Sequence, residues 1–201
     1  MKQGSNPGLV KAMLMFALSG ILTPAFAHVS ASHGVNGFEA GFLHPLMGMD
    51  HLLAILAVGI WAAQQRGRAL WILPLTFPLT MLLGAWLDMQ GIQIEGVEEG
   101  IAVSVLILGL LIAAAIKLPL FISVGLISVF ALAHGYVHAR EMAAGVSAIW
   151  FIAGLVLSTI LLHICGLLAA LTAKRFLTEK LNRVAGTGIA MTGLFFVSKL
   201  I

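Results

Sequence analysis

Long apolar segments separated by short polar ones dominate the chain from residue 42 to its end. Each is close to the roughly 20 residues that an α-helix needs to cross the hydrocarbon core of a bilayer. The third segment is short, and the fifth is long enough to tilt. Six such segments run approximately over residues 42–63, 69–87, 100–116, 118–137, 144–173 and 184–200. The pattern predicts an all-α integral membrane protein, built as a bundle of about six transmembrane helices.

The first 27 residues have the pattern of a secretory signal peptide. Two lysines precede a short apolar run, and Ala25 and Ala27 are the small residues that signal peptidase recognises. A retained N-terminal anchor is the alternative, although the apolar run is short for a membrane span. Cleavage after Ala27 predicts a mature chain of residues 28–201 that forms a single six-helix transmembrane domain.

The composition excludes a soluble domain and argues against a nucleic-acid partner. Charged residues make up 9% of the chain, whereas soluble proteins carry about 25%. The formal net charge is only +3, and no basic stretch is interleaved with aromatic residues. The single Cys165 excludes an internal disulfide. The partner that the composition predicts is therefore the lipid bilayer.

The charged residues in the connecting loops predict the orientation in the membrane. With an exported N-terminus, the inside loops carry one acid, Glu179, against Arg66, Arg68, Lys117, Lys174, Arg175, Lys180 and Arg183. The outside segments carry Arg140 and Lys199 against Glu39, Asp88, Glu95, Glu98, Glu99 and Glu141. Lysine and arginine favour the cytoplasmic side. We therefore expect a bacterial inner-membrane protein with both ends of the mature chain in the periplasm.

The first apolar segment opens with a histidine-rich motif, His44-Pro-Leu-Met-Gly-Met-Asp50-His51. Ionisable residues within a membrane are costly and are therefore functional candidates. On a regular helix His44 and His51 lie about 10.5 Å apart along the axis. One ion cannot bridge that separation, because metal–nitrogen bonds are only about 2 Å long. Either Pro45 and Gly48 permit local unwinding, or the two histidines form successive sites. Asp50 is either a ligand or a partner that fixes a histidine tautomer.

The fourth apolar segment ends with a second motif, in which His134, His138 and Glu141 are spaced to share one helix face. Two imidazoles one turn apart are a chelating pair, and a carboxylate one turn further on supplies a third ligand. In the predicted topology both motifs fall in the outer half of the bundle. They therefore predict one divalent metal site, with a buried hydrogen-bond network as the structural alternative.

Three further histidines lie outside these motifs. His163 falls in the inner half of the fifth segment, where it is either a relay for the ion or a buried residue hydrogen-bonded by Thr159 one turn earlier. Cleavage makes His28 the mature N-terminus, whose amine and imidazole can chelate one metal, with His33 close behind. This tail is either a capture site or a linker.

The motifs together resemble one known family. His44 to His51, continued as Leu-Leu-Ala-Ile-Leu-Ala-Val-Gly-Ile-Trp61, is similar to the HPx(S/T)GxDHxLxMxxVGxWA signature of the HupE/UreJ nickel/cobalt permeases. His134 to Glu141 resembles that family's HAxxHGxE block, and His163 matches its LHxxG element. Met47 replaces the usual Ser or Thr without removing a ligand.

This resemblance implies a secondary transporter that takes up Ni²⁺ or Co²⁺ and is not an enzyme. The metal is then the transported substrate, and no cofactor is permanently bound. The implied site comprises side chains on the outer halves of the first and fourth helices: His44, Asp50, His51, His134, His138 and Glu141.

Two other functions remain open at the level of the sequence. An intramembrane metal-dependent hydrolase uses His and Asp to hold zinc and activate water, with Ser104, Ser123 or Ser128 as candidate partners. A haem-binding subunit needs two histidines that face each other across a helix pair, for which His51 with His134 or His138 are the candidates.

Overall fold

The computed structural model describes residues 36–176 and 178–200. Over that part the chain forms seven helices and no strand. We number them α1 to α7, and they span Gly37–Met47, Met49–Gln65, Ala69–Met89, Val97–Ala113, Leu120–Arg140, Ala148–Phe176 and Glu179–Leu200. The predicted signal peptide and the predicted capture residues His28 and His33 lie outside the described residues, so both stay predictions.

The helices are those of a multi-pass membrane protein. By length and composition α3, α5 and α6 can each cross a bilayer, and the consecutive helices α1 and α2 qualify together as a fourth, broken span. The remaining helices, α4 and α7, lie at the third and sixth apolar segments but do not qualify by the same criteria. The all-helical membrane architecture is therefore confirmed, and the count of six spans stays a prediction.

The outer surface of the bundle is apolar. Large side chains such as Leu79, Phe121 and Ile149 are 67%, 76% and 79% exposed. A monomer in water rarely presents so many large apolar groups together. In a bilayer these groups contact acyl chains, while Trp61 and Phe77 fill the interior with no exposed surface.

Local sequence signals account for several helix boundaries. Asn36 caps α1, because its side-chain oxygen accepts the backbone N–H of Glu39 at 2.8 Å. Pro119 directly precedes α5 with a φ of −52°, an angle already suited to a helix start. Pro74 and Pro78 lie within α3 without ending it. Since proline has no N–H, Pro78 leaves the Pro74 carbonyl without its helical donor.

Glycines allow the helices that carry the histidines to approach closely. A Cβ atom at Gly135 in α5 would collide with the backbone of Met81 in α3, and one at Gly59 in α2 would collide with the carbonyl of His163 in α6. Both contacts require glycine for lack of space. As a result α3 packs against both α5 and α6, and α6 packs along α1 and α2.

The two ends of the bundle differ in chemistry. At one end the Trp61 indole N–H donates to the Ile116 carbonyl at 3.0 Å, and Glu179 pairs with Arg66 and Lys174. A cavity at this end is lined by residues that include Arg66, Lys117, Lys174 and Arg183. The histidine-rich motifs meet at the opposite end of α2. The basic loops predicted to lie inside are thus collected at one end, away from the histidines.

Candidate metal centre

The first apolar segment, residues 42–63, is broken at Gly48. Gly48 is extended, with φ −90° and ψ 115°, and separates α1 from α2. The two helix axes bend by 82°. The ring centroids of His44 and His51 consequently lie 6.3 Å apart, far closer than on a straight helix. Of the two alternatives that the sequence left open, the structure shows the local unwinding.

Glycine at position 48 also makes room for the motif. A Cβ atom there would lie 3.0 Å from both Asp50 Oδ1 and His51 Nδ1, closer than such atoms normally approach. The φ and ψ values themselves suit any residue. Glycine at this position therefore leaves room beside the Asp50–His51 pair.

Four histidine rings from the two motifs form one cluster. The His51 ring lies 4.3 Å from that of His138 and 5.2 Å from that of His134, between centroids. His44 lies 4.8 Å from His138. The broken first span and α5 therefore bring their histidines together at one end of the bundle.

Glu141 joins the cluster at its exposed side. Donor atoms of His44, His138 and Glu141 all lie within 4.8 Å of one another, a separation that allows a single metal ion to be held. The His44 Nε2–H donates to Glu141 Oε2 at 3.0 Å. This hydrogen bond lowers the pKa of the Glu141 carboxyl below its usual value, so the group is available as an anionic oxygen ligand.

Two of the buried histidines have their tautomer set by a neighbouring acceptor. His51 Nδ1–H donates to Asp50 Oδ1 at 2.8 Å, and His134 Nδ1–H donates to the Phe130 carbonyl at 2.8 Å. Metal-binding histidines typically make such a bond with the nitrogen that does not bind the metal. The sequence left two roles open for Asp50, a metal ligand or a partner that fixes a histidine tautomer. The contact with His51 is of the second kind.

The remaining nitrogens of the cluster lack hydrogen-bond partners. Within the described part of the chain, the buried Nε2 atoms of His51 and His134 and both ring nitrogens of His138 are unpartnered. Leaving a buried polar atom unpaired costs about 1–3 kcal/mol. A purely structural network would satisfy these atoms, whereas ligands for a divalent ion need them free.

His163 lies apart from the cluster and makes a different contact from the one expected. Thr159 does not hydrogen-bond it, because the Thr159 hydroxyl is directed to the Met81 sulfur at 3.9 Å. His163 is 1% exposed, and neither ring nitrogen has a hydrogen-bond partner among the described residues. The ring of Phe77 lies 5.2 Å from that of His163.

The part of the chain that is similar to known proteins includes both histidine motifs. The sequence profile of the family described as HupE / UreJ protein matches residues 16–196. The chain belongs to the HupE/UreJ family. A protein named "Protein HupE" from Rhizobium leguminosarum bv. viciae is 36% identical to it over 178 residues, which cover 88% of this chain and 92% of that protein. No solved structure matches the chain significantly.

Two aromatic residues that the sequence motifs do not indicate contact the histidines of this HupE/UreJ protein. Phe77 in α3 contacts His134, with ring centroids 5.3 Å apart, and Phe151 in α6 contacts His44 at 5.6 Å. A phenylalanine within an apolar helix carries no signal that separates a site residue from a lipid-facing one. Only the packing of α3 and α6 identifies these two.

The geometry disfavours the two other functions considered from the sequence. The Ser104 hydroxyl donates to the carbonyl of Ile101 in its own helix, and Ser123 bonds Gln65 at the opposite end of α2. Of the three serines considered, Ser104, Ser123 and Ser128, the first two thus have hydroxyls engaged away from the histidine rings. The His51 and His138 rings, 4.3 Å apart, leave no space for a porphyrin between them.

Proposed function

We propose that this HupE/UreJ protein is a secondary permease that takes up Ni²⁺ or Co²⁺. The family is associated with nickel and cobalt uptake for hydrogenase and urease, and the donor set supports a transition-metal substrate. Imidazole nitrogens mixed with carboxylate oxygens suit both ions. The proposed ligands and orienting residues are His44, Asp50, His51, His134, His138 and Glu141. The observation that carries the proposal is the convergence of unpartnered imidazole nitrogens in one buried cluster.

The exposed fraction of the histidines decreases from one side of the cluster to the other, which suggests the order in which an entering ion meets them. The side chain of His44 is 26% exposed and that of His51 is 8% exposed, while His134 is completely buried. An ion arriving from solution meets His44 and Glu141 first, and reaches His51, His138 and then His134. Successive sites of moderate strength suit transport, because an ion must leave each site as well as enter it.

We call His44 with Glu141 the first station for the ion, and binding an ion there displaces one proton. An ion bound at His44 Nε2 needs the lone pair of that nitrogen, so its proton is released to solvent or is replaced by a proton on Nδ1, and the Glu141 carboxylate becomes available to the metal. At the next station His51 needs no such change, since its Nδ1 carries the proton and its Nε2 is free. Asp50 thus acts through His51, by holding its ring with the lone pair directed to the ion.

The proposed setting is the bacterial inner membrane, with the histidine end facing the periplasm. The support is the charge distribution: the cavity at the opposite end contains Arg66, Lys117, Lys174 and Arg183, and cytoplasmic ends of membrane proteins are enriched in such residues. The mature chain then has both termini in the periplasm. The protein works without a permanently bound cofactor and without catalysing a reaction.

Nickel uptake by cells that express single variants tests the proposal. His51→Ala and His138→Ala each remove an imidazole at the centre of the cluster, so both should abolish saturable uptake of nickel and cobalt. Glu95→Gln is the matched control, because Glu95 is an exposed acid outside the described cluster. It should transport at the wild-type rate. Normal uptake by both histidine variants, at equal protein levels in the membrane, would overturn the proposal.

A further inference from the structure

His163 is placed as the next histidine beyond the outer cluster. The Phe77 ring lies between two imidazoles, 5.3 Å from His134 and 5.2 Å from His163. The three side chains come from α5, α3 and α6, which pack on one another through α3. All three are at most 1% exposed. Ring contacts therefore continue from His134 in the cluster, through Phe77, to His163.

Both ring nitrogens of His163 are buried without a hydrogen-bond partner among the described residues. Buried polar atoms in proteins are normally hydrogen-bonded, so an unpartnered imidazole inside the bundle suggests a ligand that is bound only transiently. Either ring nitrogen can supply a lone pair to a cation.

Where α3 and α6 meet beside His163, the described residues include a hydroxyl and a thioether, both weak donors for a divalent ion. Thr159 lies one turn before it in α6, and the Thr159 hydroxyl contacts the thioether sulfur of Met81. Both side chains are at most 1% exposed. One imidazole with a thioether and a hydroxyl nearby holds a divalent ion less tightly than the outer cluster, with its several imidazoles and carboxylate. Such a weak site suits an ion that must be released.

We propose that His163 is a second, inner binding station for the transported divalent cation, reached from His134 past the ring of Phe77. The inference rests on the proposed function and deepens it by adding a site. Phe77 separates the two stations, so its ring must move aside when an ion passes. Separation keeps the inner station empty until the outer one delivers an ion.

The test compares transport with binding in two amide variants, His163→Gln and His163→Asn. Both keep a hydrogen-bonding side chain but lose the imidazole. In proteoliposomes each should lower the maximal rate of nickel uptake by about tenfold or more, the scale seen when a metal site loses a supporting group. The KM and the equilibrium nickel affinity of the outer cluster should stay at their wild-type values. At saturating nickel each variant should bind one ion fewer per chain.

Cys165→Ala is the control, because Cys165 lies two residues further on in α6 with an exposed side chain. It should keep the wild-type rate and stoichiometry. A wild-type rate and stoichiometry in either amide variant would overturn the inner station while leaving the proposed function intact. The proposed function fails separately, if His51→Ala and His138→Ala transport normally. A wild-type nickel affinity of the outer cluster shows that a variant is folded. If one of the two amide variants fails to fold, the other still decides the test.

Discussion

His44 and Glu141 are 97 residues apart in the chain, yet His44 Nε2 and Glu141 Oε2 lie 3.0 Å apart. The contact joins α1 to the residue that directly follows α5. It depends on the break at Gly48, which turns α1 so that its histidine returns toward the cluster. The pair is the exposed entrance to the proposed site, and its geometry allows several tests.

The lowered pKa of Glu141 predicts a specific pH dependence of stability. A carboxyl group whose pKa is lowered in the folded protein stabilises it above the ordinary pKa, and loses that effect only as the pH falls through the lowered value. The difference in melting temperature between wild type and Glu141→Gln should therefore not shrink between about pH 7 and about pH 5. Thermal unfolding in detergent at several pH values measures it. A difference that shrinks markedly between these two pH values would contradict a lowered pKa for Glu141.

Two substitutions at Asp50 separate its two chemical roles. Asp50→Ala removes the acceptor for His51 Nδ1–H and should weaken nickel binding by about 10–100-fold. Asp50→Asn keeps a side-chain oxygen that can accept the same hydrogen bond, so its loss should be smaller. Equilibrium binding to the purified variants gives both values. Equal and complete loss in the two variants would instead make Asp50 a direct ligand.

Two glycines of α5 provide a matched pair for the packing of the site. A Cβ at Gly135 would collide with the Met81 backbone, whereas a Cβ at Gly125 meets nothing within 4 Å. Gly135→Ala should lower the free energy of unfolding by about 1–3 kcal/mol, the usual cost of overpacking. Gly125→Ala should be neutral or stabilising by up to about 1 kcal/mol, since alanine favours a helix. Thermal or denaturant unfolding compares them, and equal stability of the two would contradict the close approach of α3 and α5.

The orientation in the membrane is testable with single cysteines in a Cys165→Ala background. Gln93→Cys lies in the exposed α3–α4 connection, and Arg68→Cys lies between α2 and α3. A thiol reagent that cannot cross the membrane, added to cells with a permeable outer membrane, should label position 93 and leave position 68 unlabelled. The reversed pattern would place the histidine end in the cytoplasm and contradict uptake from the periplasm.

Much of the helical framework follows from the sequence alone. The second apolar segment, residues 69–87, corresponds to α3 at Ala69–Met89, and the fourth, residues 118–137, corresponds to α5 at Leu120–Arg140. Continuous apolar runs bounded by glycine, proline or charge specify such helices with little ambiguity. The ligand-type residues are equally visible, because an ionisable group within an apolar run stands out.

The bend at Gly48 and the role of Phe77 could not be predicted in the same way. Pro45 and Gly48 allow a break, but the 82° bend is stabilised by contacts with other helices, including the pairing of His44 with Glu141. Likewise the contacts of Phe77 with His134 and His163 follow from the position of α3 between α5 and α6. These features are tertiary, and local spacing does not encode them.

Uptake of radioactive nickel into proteoliposomes that contain only the purified protein tests the central claim most directly. Wild type should show saturable uptake that cobalt inhibits, because the chain itself carries the ion. His138→Ala, reconstituted at the same density and orientation, should be reduced to the rate of protein-free liposomes, since His138 lies between His44 and His51. Saturable nickel uptake at the wild-type rate by His138→Ala would contradict the account.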